Sequence, residues 1–368
     1  MKYVKLLAIV FSIALIVNCT KKEDVKTYEQ YEENGIRITS NNGTPADTSF
    51  SIELKEVGFI DISGEEDLEN LISYPKSFDF DEAGNLYILD GEKAKIHKFN
   101  NKFERVSIFG GKGQGPGEFV QPSCVIVKND TLIVPDSRAW KINKLDLDGK
   151  FITDKKYLDY QKTPFDIIKF GTGFASDFNG MSADDTGQRF SIKFISLFDS
   201  NLNYLKDVYK FKKLYEPDKE IDPGGDGSAY TANKQNLFLS VNSKTEYKID
   251  VFDQSGDKTR IIRKNYARIR NSEESIKWIE EFNKKHGTKH KTEFRNSIFM
   301  MYTDKYGRLW VSSTVKKKEE GAHYDIFKDD VFLKRVNIEM EEGYLPIYIG
   351  EKIICQNWKD NSLKIYDY

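Results

Sequence analysis

Phe109-Gly110-Gly111-Lys112-Gly113-Gln114-Gly115-Pro116-Gly117-Glu118-Phe119 is the stretch that decides the fold. Five glycines and one proline within nine of these residues exclude a helix or a regular strand. The flanking residues 105–109 and 124–127 are rich in β-branched and aromatic side chains, which favours strands. The stretch is interpreted as a hinge between two repeats. A phosphate-binding loop would need Lys-Ser/Thr and a following helix, and here a strand pattern follows.

Units of four short strands follow one another along the chain. They begin at Pro75, Pro122 and Pro164, so the period is 47 and then 42 residues, which is typical of four-stranded blades. The sixth unit has only three strand patterns, and an isolated strand pattern near residues 51–62 can supply the fourth. The sequence therefore predicts an all-β fold, a six-bladed β-propeller over residues 49–368 that is closed by an N-terminal strand. Two β-sandwiches would not explain the period.

The N-terminal residues carry the features of an export signal. Two lysines precede an apolar run, Leu6 to Val17, that is too short to span a bilayer. The run ends at Cys19 in a pattern that resembles the lipobox of bacterial lipoproteins. We therefore expect a signal peptide over 1–18, lipidation of Cys19 and an outer-membrane lipoprotein in the cell envelope, with surface exposure as one option. An ordinary signal peptide or an uncleaved anchor is the alternative. The polar residues 19–48 are predicted to be a flexible tether.

Composition excludes some function classes. The chain has 56 basic and 58 acidic residues, and without a basic excess a nucleic-acid partner is not expected. It has only four histidines, and the pair His286 and His290 is separated by a helix-breaking glycine. No metal site and no cofactor are therefore predicted. Cys124 and Cys355 lie in apolar strand patterns and are expected to be buried free thiols, with a disulfide as the less favoured option.

The glycine-proline hinge also carries a family resemblance. Residues 113–119, followed by Pro122 and by Leu132-Ile133-Val134-Pro135-Asp136, resemble NHL-type six-bladed β-propellers, especially propeller lipoproteins of one Gram-negative phylum. Residues 86–90 and 95–99 are similar to the middle strands of that repeat. The resemblance covers roughly residues 50–368. It implies a scaffold more than one particular activity.

One face of the predicted propeller collects the long connections. Loops between the second and third strands of each blade share that face with the blade-to-blade connections. The sequence places four long segments there: 179–188, 214–228, 271–291 and 314–323. The insert 271–291 is predicted to contain a helix, capped by Ser272 and ended by Gly287. This helix either packs on the rim or serves as a lid or a docking element.

Two loops on this face carry a tryptophan beside polar residues. An indole ring offers a flat apolar surface and its polar neighbours offer hydrogen bonds, which suits sugar or peptide recognition, although plain packing of each ring is equally open. The predicted ligand-binding residues are Asp136, Arg138, Trp140, Trp358, Lys359 and Lys95. The predicted function is a membrane-tethered binding module for a glycan, a peptide or an envelope protein, without assigned catalytic residues. The alternative is an exported lyase or hydrolase that uses acidic residues in the funnel.

Overall fold

The computed structural model describes residues 26–63, 71–216, 227–291, 293–312 and 322–368. Three strands precede the first blade: β1 (Tyr28–Glu33), β2 (Ile36–Asn41) and β3 (Lys55–Asp61). Blade 1 contains β4 (Pro75–Phe80), β5 (Leu86–Asp90), β6 (Lys95–Phe99) and β7 (Arg105–Gly110). Blade 2 contains β8 (Ile126–Lys128), β9 (Thr131–Asp136), β10 (Lys141–Asp146) and β11 (Phe151–Lys156). Blade 3 contains β12 (Asp166–Phe170), β13 (Gly173–Ala183), β14 (Arg189–Phe198) and β15 (Tyr204–Leu214).

The second half of the chain continues the pattern. Blade 4 contains β16 (Ser228–Ala232), β17 (Leu237–Val241), β18 (Tyr247–Phe252) and β19 (Lys258–Lys264). The helix α1 (Glu273–His286) then precedes blade 5, which contains β20 (Met300–Thr303), β21 (Leu309–Ser312), β22 (Ala322–Lys328) and β23 (Val331–Ile338). Blade 6 contains β24 (Tyr344–Ile349), β25 (Ile353–Asn357) and β26 (Ser362–Asp367).

These sheets confirm the predicted all-β, six-bladed propeller. Neighbouring strands within each blade are antiparallel, and the first strands β4, β8, β12, β16 and β20 lie beside one another around the centre. The first strand of every blade begins on the side where blade-to-blade connections and the loops between second and third strands lie. We call this side the loop face. The opposite side, which has the tight turns, we call the turn face.

Ring closure follows the prediction from strand counting. β3 pairs antiparallel with β26, with Ile60 opposite Leu363 and Asp61 opposite Ser362. Ile60 and Ile62 are buried in one cluster with Leu363 and side chains of blade 1. The sixth blade therefore contains strands from both ends of the described chain, and no edge of it is left open at that position.

The flexible tether predicted for 19–48 is wrong over residues 28–41. β1 and β2 form a hairpin, and β2 pairs in parallel with β19, so that blade 4 has six strands in the order β1-β2-β19-β18-β17-β16. The chain then continues along blade 5, where the amides of Ala46 and Asp47 donate to the carbonyls of Phe332 and Leu333. The described part of the predicted tether is thus attached to the outer rim. The predicted signal peptide 1–18 and Cys19 lie outside the described residues.

Asn41 joins the hairpin to two blades. Its side-chain amide donates to the carbonyls of Arg263 in blade 4, at 3.0 Å, and of Asp330 in blade 5, at 3.1 Å. Its amide oxygen accepts from the backbone N–H of Phe332 at 2.8 Å, and the residue is 1% exposed. One buried side chain therefore bonds three backbone groups in two blades.

We expect Asn41→Ala to destabilise the protein by about 2 kcal/mol, because buried backbone groups would lose their partners. Denaturant unfolding followed by tryptophan fluorescence measures this difference. The control is Asn42→Ala, since the Asn42 side chain bonds at an exposed position. Equal stability of Asn41→Ala and the wild type would show that the hydrogen bonds of the Asn41 side chain do not stabilise the protein.

The glycine-rich stretch is the inter-blade hinge that the sequence predicts. Gly110 has a φ of 81°, and a Cβ atom there would lie 2.6 Å from the Phe119 ring. Phe119 itself is fully buried in the cluster between blades 1 and 2. The Glu118 carboxylate accepts the backbone N–H of Gly115 at 2.8 Å and closes the loop. The glycines thus let the backbone fold back tightly around one buried aromatic ring.

The predicted long segments on the loop face have different outcomes. The segment 179–188 is not a long loop, because β13 and β14 continue as paired strands to a short turn at Asp184–Gln188. The helix predicted in 271–291 is confirmed: the Ser272 hydroxyl accepts the amide of Ser275, and Gly287 adopts φ 64° at the C-cap. Residues 217–226 and 313–321 lie outside the described residues.

Candidate functional site

Polar residues at the ends of second strands hold the loops of blades 1 and 2. Asp136 ends β9 and is fully buried. Its carboxylate accepts the backbone N–H groups of Val120 at 2.6 Å, Gln121 at 2.9 Å and Ala139 at 3.2 Å. Asp90 ends β5 and accepts backbone amides in the same way. The Asp136 carboxylate is therefore engaged in loop structure, although the sequence nominated it for ligand binding.

The other nominated residues lie around this scaffold on the loop face. Arg138 and Lys359 are exposed, and Lys95 is half-buried at the start of β6. Trp140 is 43% exposed and Trp358 is 52% exposed. They occupy loops of blades 2, 1 and 6, which are neighbours in the ring. The structure thus places these residues on one face but on three separate blades.

Trp140 stands at a strained backbone position. Its φ is 51°, and the last residues of the equivalent loops, Ala94 and Asn361, have φ values of 56° and 49°. A bulky aromatic residue rarely adopts the left-handed region, and such strain tends to occur at functional sites. The Trp140 carbonyl is held there by the backbone N–H of Tyr157 at 2.9 Å. Of these three loops, only this one carries an aromatic ring at the left-handed position.

A pair of carboxylates lies at the loop-face mouth of the central channel. Asp166 begins the inner strand β12 and stands directly opposite Asp177 in β13. The Tyr230 hydroxyl, from the inner strand of blade 4, bonds the Asp177 carboxylate at 3.3 Å and the Asp166 carbonyl at 3.1 Å. The Asn179 side-chain amide donates to the other Asp177 oxygen at 2.7 Å. Blades 3 and 4 together hold this group in place.

The environment of Asp166 changes its acidity. Asp166 is exposed at the start of β12. Partial desolvation of its carboxylate by the surrounding protein atoms, together with the nearby Asp177 carboxylate, raises the pKa of Asp166 to about 6, and Lys76 partly opposes the rise. A carboxyl group with such a pKa changes charge in the range where a general acid or base operates. We call Asp166, Asp177, Asn179 and Tyr230 the mouth cluster.

Two lysines border the mouth cluster. Lys76, in the inner strand of blade 1, donates to the carbonyl of Pro122 at 3.0 Å. Lys193 lies in β14 opposite Asn179 and is 7% exposed. Burial lowers the pKa of Lys193, and the charge of Asp177 opposes this. The mouth therefore combines hydrogen-bond acceptors and cationic donors within blades 1 to 3.

The neighbouring inner strand, in blade 5, begins with apolar side chains. Phe299 is 47% exposed and Met300 is 41% exposed at the start of β20. β20 lies beside β16, where the Thr303 hydroxyl donates to the Ala232 carbonyl at 2.6 Å. Tyr230 of the mouth cluster belongs to that same strand β16. A ligand at the mouth would thus meet hydrogen-bonding groups of blades 3 and 4 beside exposed apolar side chains of blade 5.

A second ionic group lies toward the turn-face end of the channel. Lys169 of blade 3 donates to both Asp79 oxygens, at 3.0 and 2.9 Å. Asp79 also accepts the backbone N–H of Val127 in blade 2 at 2.7 Å and is 5% exposed. This pair ties the inner strands of three blades together. Its contacts are all internal, which favours a structural role.

Two further results concern metals and membranes. Among the described residues, no three His, Cys, Asp or Glu side chains are grouped as a metal site would require. The rings of His286 and His290 pack against the ring of Phe282 at 4.4 and 5.5 Å. Within the same described ranges, none of the helices is both long and apolar enough to cross a membrane.

Sequence comparison assigns the family. A family profile described as a six-bladed β-propeller, DUF5128, matches residues 28–213, which is half of the chain. The chain belongs to this family. The match spans the hairpin of β1 and β2, the ring-closing strand and the first three blades of this DUF5128 member. Among curated proteins, none matches the chain at a significant level.

Solved structures share the fold of this DUF5128 protein. A Bacteroides fragilis protein described as a candidate exported protein is 14% identical, with a TM-score of 0.53, and the match covers 89% of this chain and 98% of that one. A member of the DUF4221 family from Bacteroides vulgatus is also 14% identical, with a TM-score of 0.52, and covers 85% of this chain and 97% of its own. At this identity the likeness concerns the fold alone.

Proposed function

We propose that this protein is an exported binding module whose ligand is a polyhydroxylated molecule, such as a glycan, bound at the loop-face mouth of the central channel. The observation that carries the proposal is the mouth cluster, in which Asp166, Asp177 and Tyr230 converge at an opening. Carboxylates accept hydrogen bonds from sugar hydroxyls, and hydrogen bonds to charged groups are stronger than neutral ones. Phe299 and Met300 offer an apolar surface for the face of a ring. A peptide or an envelope protein is the other ligand class that the loop face could take.

The cellular setting of this proposal is the cell envelope. The basic and apolar pattern before Cys19 supports export and lipid anchoring, with the outer membrane as the expected location. The Bacteroides fragilis protein of the same fold is itself described as a candidate exported protein. Trp140, Arg138, Trp358, Lys359 and Lys95 stand on the same loop face. They form a second row of contacts that a long ligand could reach.

A second function is favoured by one specific observation. Partial desolvation and the Asp177 carboxylate raise the pKa of Asp166 to about 6. Paired carboxyl groups with separated acidities carry out acid–base catalysis in hydrolases and lyases. In this alternative Asp166 is the proton donor or acceptor. The appearance of new reducing ends or unsaturated products from a glycan, together with their loss in Asp166→Asn, would favour the enzyme over the binding module.

We expect Asp177→Asn to weaken glycan binding by about 10- to 100-fold, because a hydrogen bond to a charged acceptor contributes about 1.5–3 kcal/mol. A glycan and peptide array on the folded protein identifies the ligand, and calorimetry then measures the variant. Asp185→Asn is the matched control, because it removes the same charge from an exposed position in the same blade. Unchanged affinity in Asp177→Asn would exclude the mouth cluster.

The pH dependence provides a further test of the same site. Since Asp166 has a pKa of about 6, its carboxylate form increases as the pH rises through that value, and binding that uses it should strengthen in the same interval. Asp177→Asn removes one cause of the raised pKa, so its profile should shift to lower pH. Trp140→Ala and Trp358→Ala test the second row of contacts on the loop face. If both bind like the wild type, the two tryptophans do not belong to the site.

A further inference from the structure

We propose that α1 and the basic segment after it dock on the anionic surface of the bilayer that holds the lipid anchor. The occupant of this surface is thus a lipid headgroup layer. The proposal rests on the proposed anchoring at Cys19, and its test does not use the mouth cluster. Three observations carry it: the place where the chain leaves the propeller, the exposure of α1 and the local excess of positive charge.

The chain emerges beside the segment that carries α1. The carbonyl of Lys26 accepts from the side-chain amide of Asn42 at 2.7 Å. The carbonyl of Asn42 in turn accepts from the side chain of Asn265 at 3.1 Å, and the Asn265 amide donates to the Asn41 carbonyl at 2.9 Å. Asn265 directly follows blade 4 and begins the connection that contains α1. The exit of the N-terminal chain and the start of this connection are therefore neighbours.

The distance to the anchor is short. Cys19 precedes Lys26 by seven residues, which reach at most about 25 Å even when fully extended. A lipid on Cys19 would therefore keep the corner at Lys26 and Asn265 close to the headgroups. The sequence predicted a tether of thirty residues that would hold the body away. Because the hairpin of β1 and β2 is attached to blade 4, only the residues between Cys19 and Lys26 are left to separate the propeller from the anchor.

The helix presents an interfacial surface at this corner. All fourteen residues of α1 are at least partly exposed, and Trp278 is 63% exposed. Its ring stacks on Phe282 at 5.4 Å, and Lys285 lies two turns further along the same side of the helix. Tryptophan rings prefer the headgroup region, and lysine side chains reach toward anionic groups from the same depth. A helix of this kind lies in the plane of a membrane surface.

Charge complementarity indicates which part of the helix faces the lipid. Residues 263–295 contain ten Lys and Arg against five Asp and Glu, although the whole chain has a net charge of -2. Two of the ten, Lys264 and Arg270, are paired with Asp325 and Glu293. The acidic residues of α1 precede Asn283, whereas residues 284–291 contain four lysines and no acidic residue. Polybasic segments bind anionic lipid surfaces. The side of α1 that carries Trp278 and Lys285, together with the lysines up to Lys291, is therefore the part directed at the bilayer.

The test uses the full lipidated chain in vesicles of phosphatidylcholine and phosphatidylglycerol that carry bromine on the upper acyl chain. Trp140→Phe and Trp358→Phe leave Trp278 as the exposed reporter beside the fully buried Trp310. We expect the Trp278 emission to fall by about twofold in brominated vesicles, as for an indole at the headgroup boundary. Lys284→Glu with Lys285→Glu should reduce this quenching. About 1 M salt, which shortens the Debye length to about 3 Å, should reduce it as well.

A reporter on the turn face is the control. Asp148 lies in the tight turn after β10 with an 87% exposed side chain, so Asp148→Trp in a Trp278→Phe background should not be quenched. Equal emission of Trp278 in brominated and plain vesicles would overturn the docking while the protein still floats with the vesicles. Failure to float would overturn the anchor and the docking together. Glycan binding at the mouth is measured separately, on the protein without vesicles, with Asp177→Asn.

Discussion

A chain that begins at Ser63 should fail to form a stable monomer. Such a truncation removes β3, and β26 then presents an open edge of unpaired backbone groups. It also removes Ile60 and Ile62, which are 5% and 2% exposed in the cluster with Leu363. Each buried isoleucine contributes about 2 kcal/mol, and with the lost backbone pairing the sum approaches the whole stability of about 5–15 kcal/mol.

Size-exclusion chromatography and thermal unfolding measure this outcome. The matched comparison is a chain that begins at Ser49, which keeps β3 but lacks the hairpin and Asn41. We expect it to remain monomeric with lowered stability, because the ring is still closed and only the outer rim of blades 4 and 5 is exposed. A monomer with wild-type stability from the Ser63 chain would mean that β3 does not close the ring.

Ring closure could be predicted from the sequence because it follows from counting. Five units with four strand patterns and one with three require a strand from elsewhere, and the pattern near residues 51–62 was unassigned. Most blade strands were visible from local alternation and from turn residues, which do not depend on distant contacts. The same holds for α1, whose limits are marked by Ser272 and Gly287.

The hairpin could not be predicted in the same way. β1 reads Tyr-Glu-Gln-Tyr-Glu-Glu and is almost entirely exposed, so it has no alternating apolar pattern. It forms because β2 pairs with the free edge of β19 and because Asn41 satisfies groups in blades 4 and 5. Both partners are more than two hundred residues away in the chain. Edge pairing of this kind leaves little trace in local sequence.

The candidate site was found only through the register of the strands. Asp166 and Asp177 are eleven residues apart, and the turn after Phe170 places them opposite each other. A shift of the register by one residue would have moved one carboxylate to the other face of the sheet. The sequence instead pointed to the tryptophans, because a tryptophan beside polar residues can be recognised without knowing how the strands pair. Asp136 could be selected from the sequence as well, but its carboxylate accepts hydrogen bonds from the backbone of the adjoining loops.

Asp79→Ala should destabilise the protein by about 3 kcal/mol, because it removes the acceptor of a buried backbone N–H and leaves Lys169 unpaired at the channel. Asp79 bonds Lys169, the backbone N–H of Val127 and its own neighbour Phe80, at distances from 2.7 to 3.0 Å. Denaturant unfolding at neutral pH measures the loss. The matched control is Asp257→Ala, which breaks an exposed pair with Lys206 and should cost less than about 1 kcal/mol.

The reciprocal variant Lys169→Met should lose stability in a pH-dependent way. Burial raises the pKa of Asp79, and the ammonium of Lys169 opposes that rise. Without Lys169, the pKa of Asp79 in the folded state lies further above its unfolded value of about 3.9, so Asp79 stays protonated in the folded state over a wider pH interval. The contribution of Asp79 to the free energy of unfolding is then fully present below its unfolded pKa and is lost as the pH rises through its folded pKa. Lys169→Met should therefore approach wild-type stability in acid and fall behind it at neutral pH, whereas Asp79→Ala, which has no carboxyl group to protonate, should show no such recovery. If both variants lost the same free energy at every pH, the Asp79 carboxylate would not be the buried charge that Lys169 neutralises.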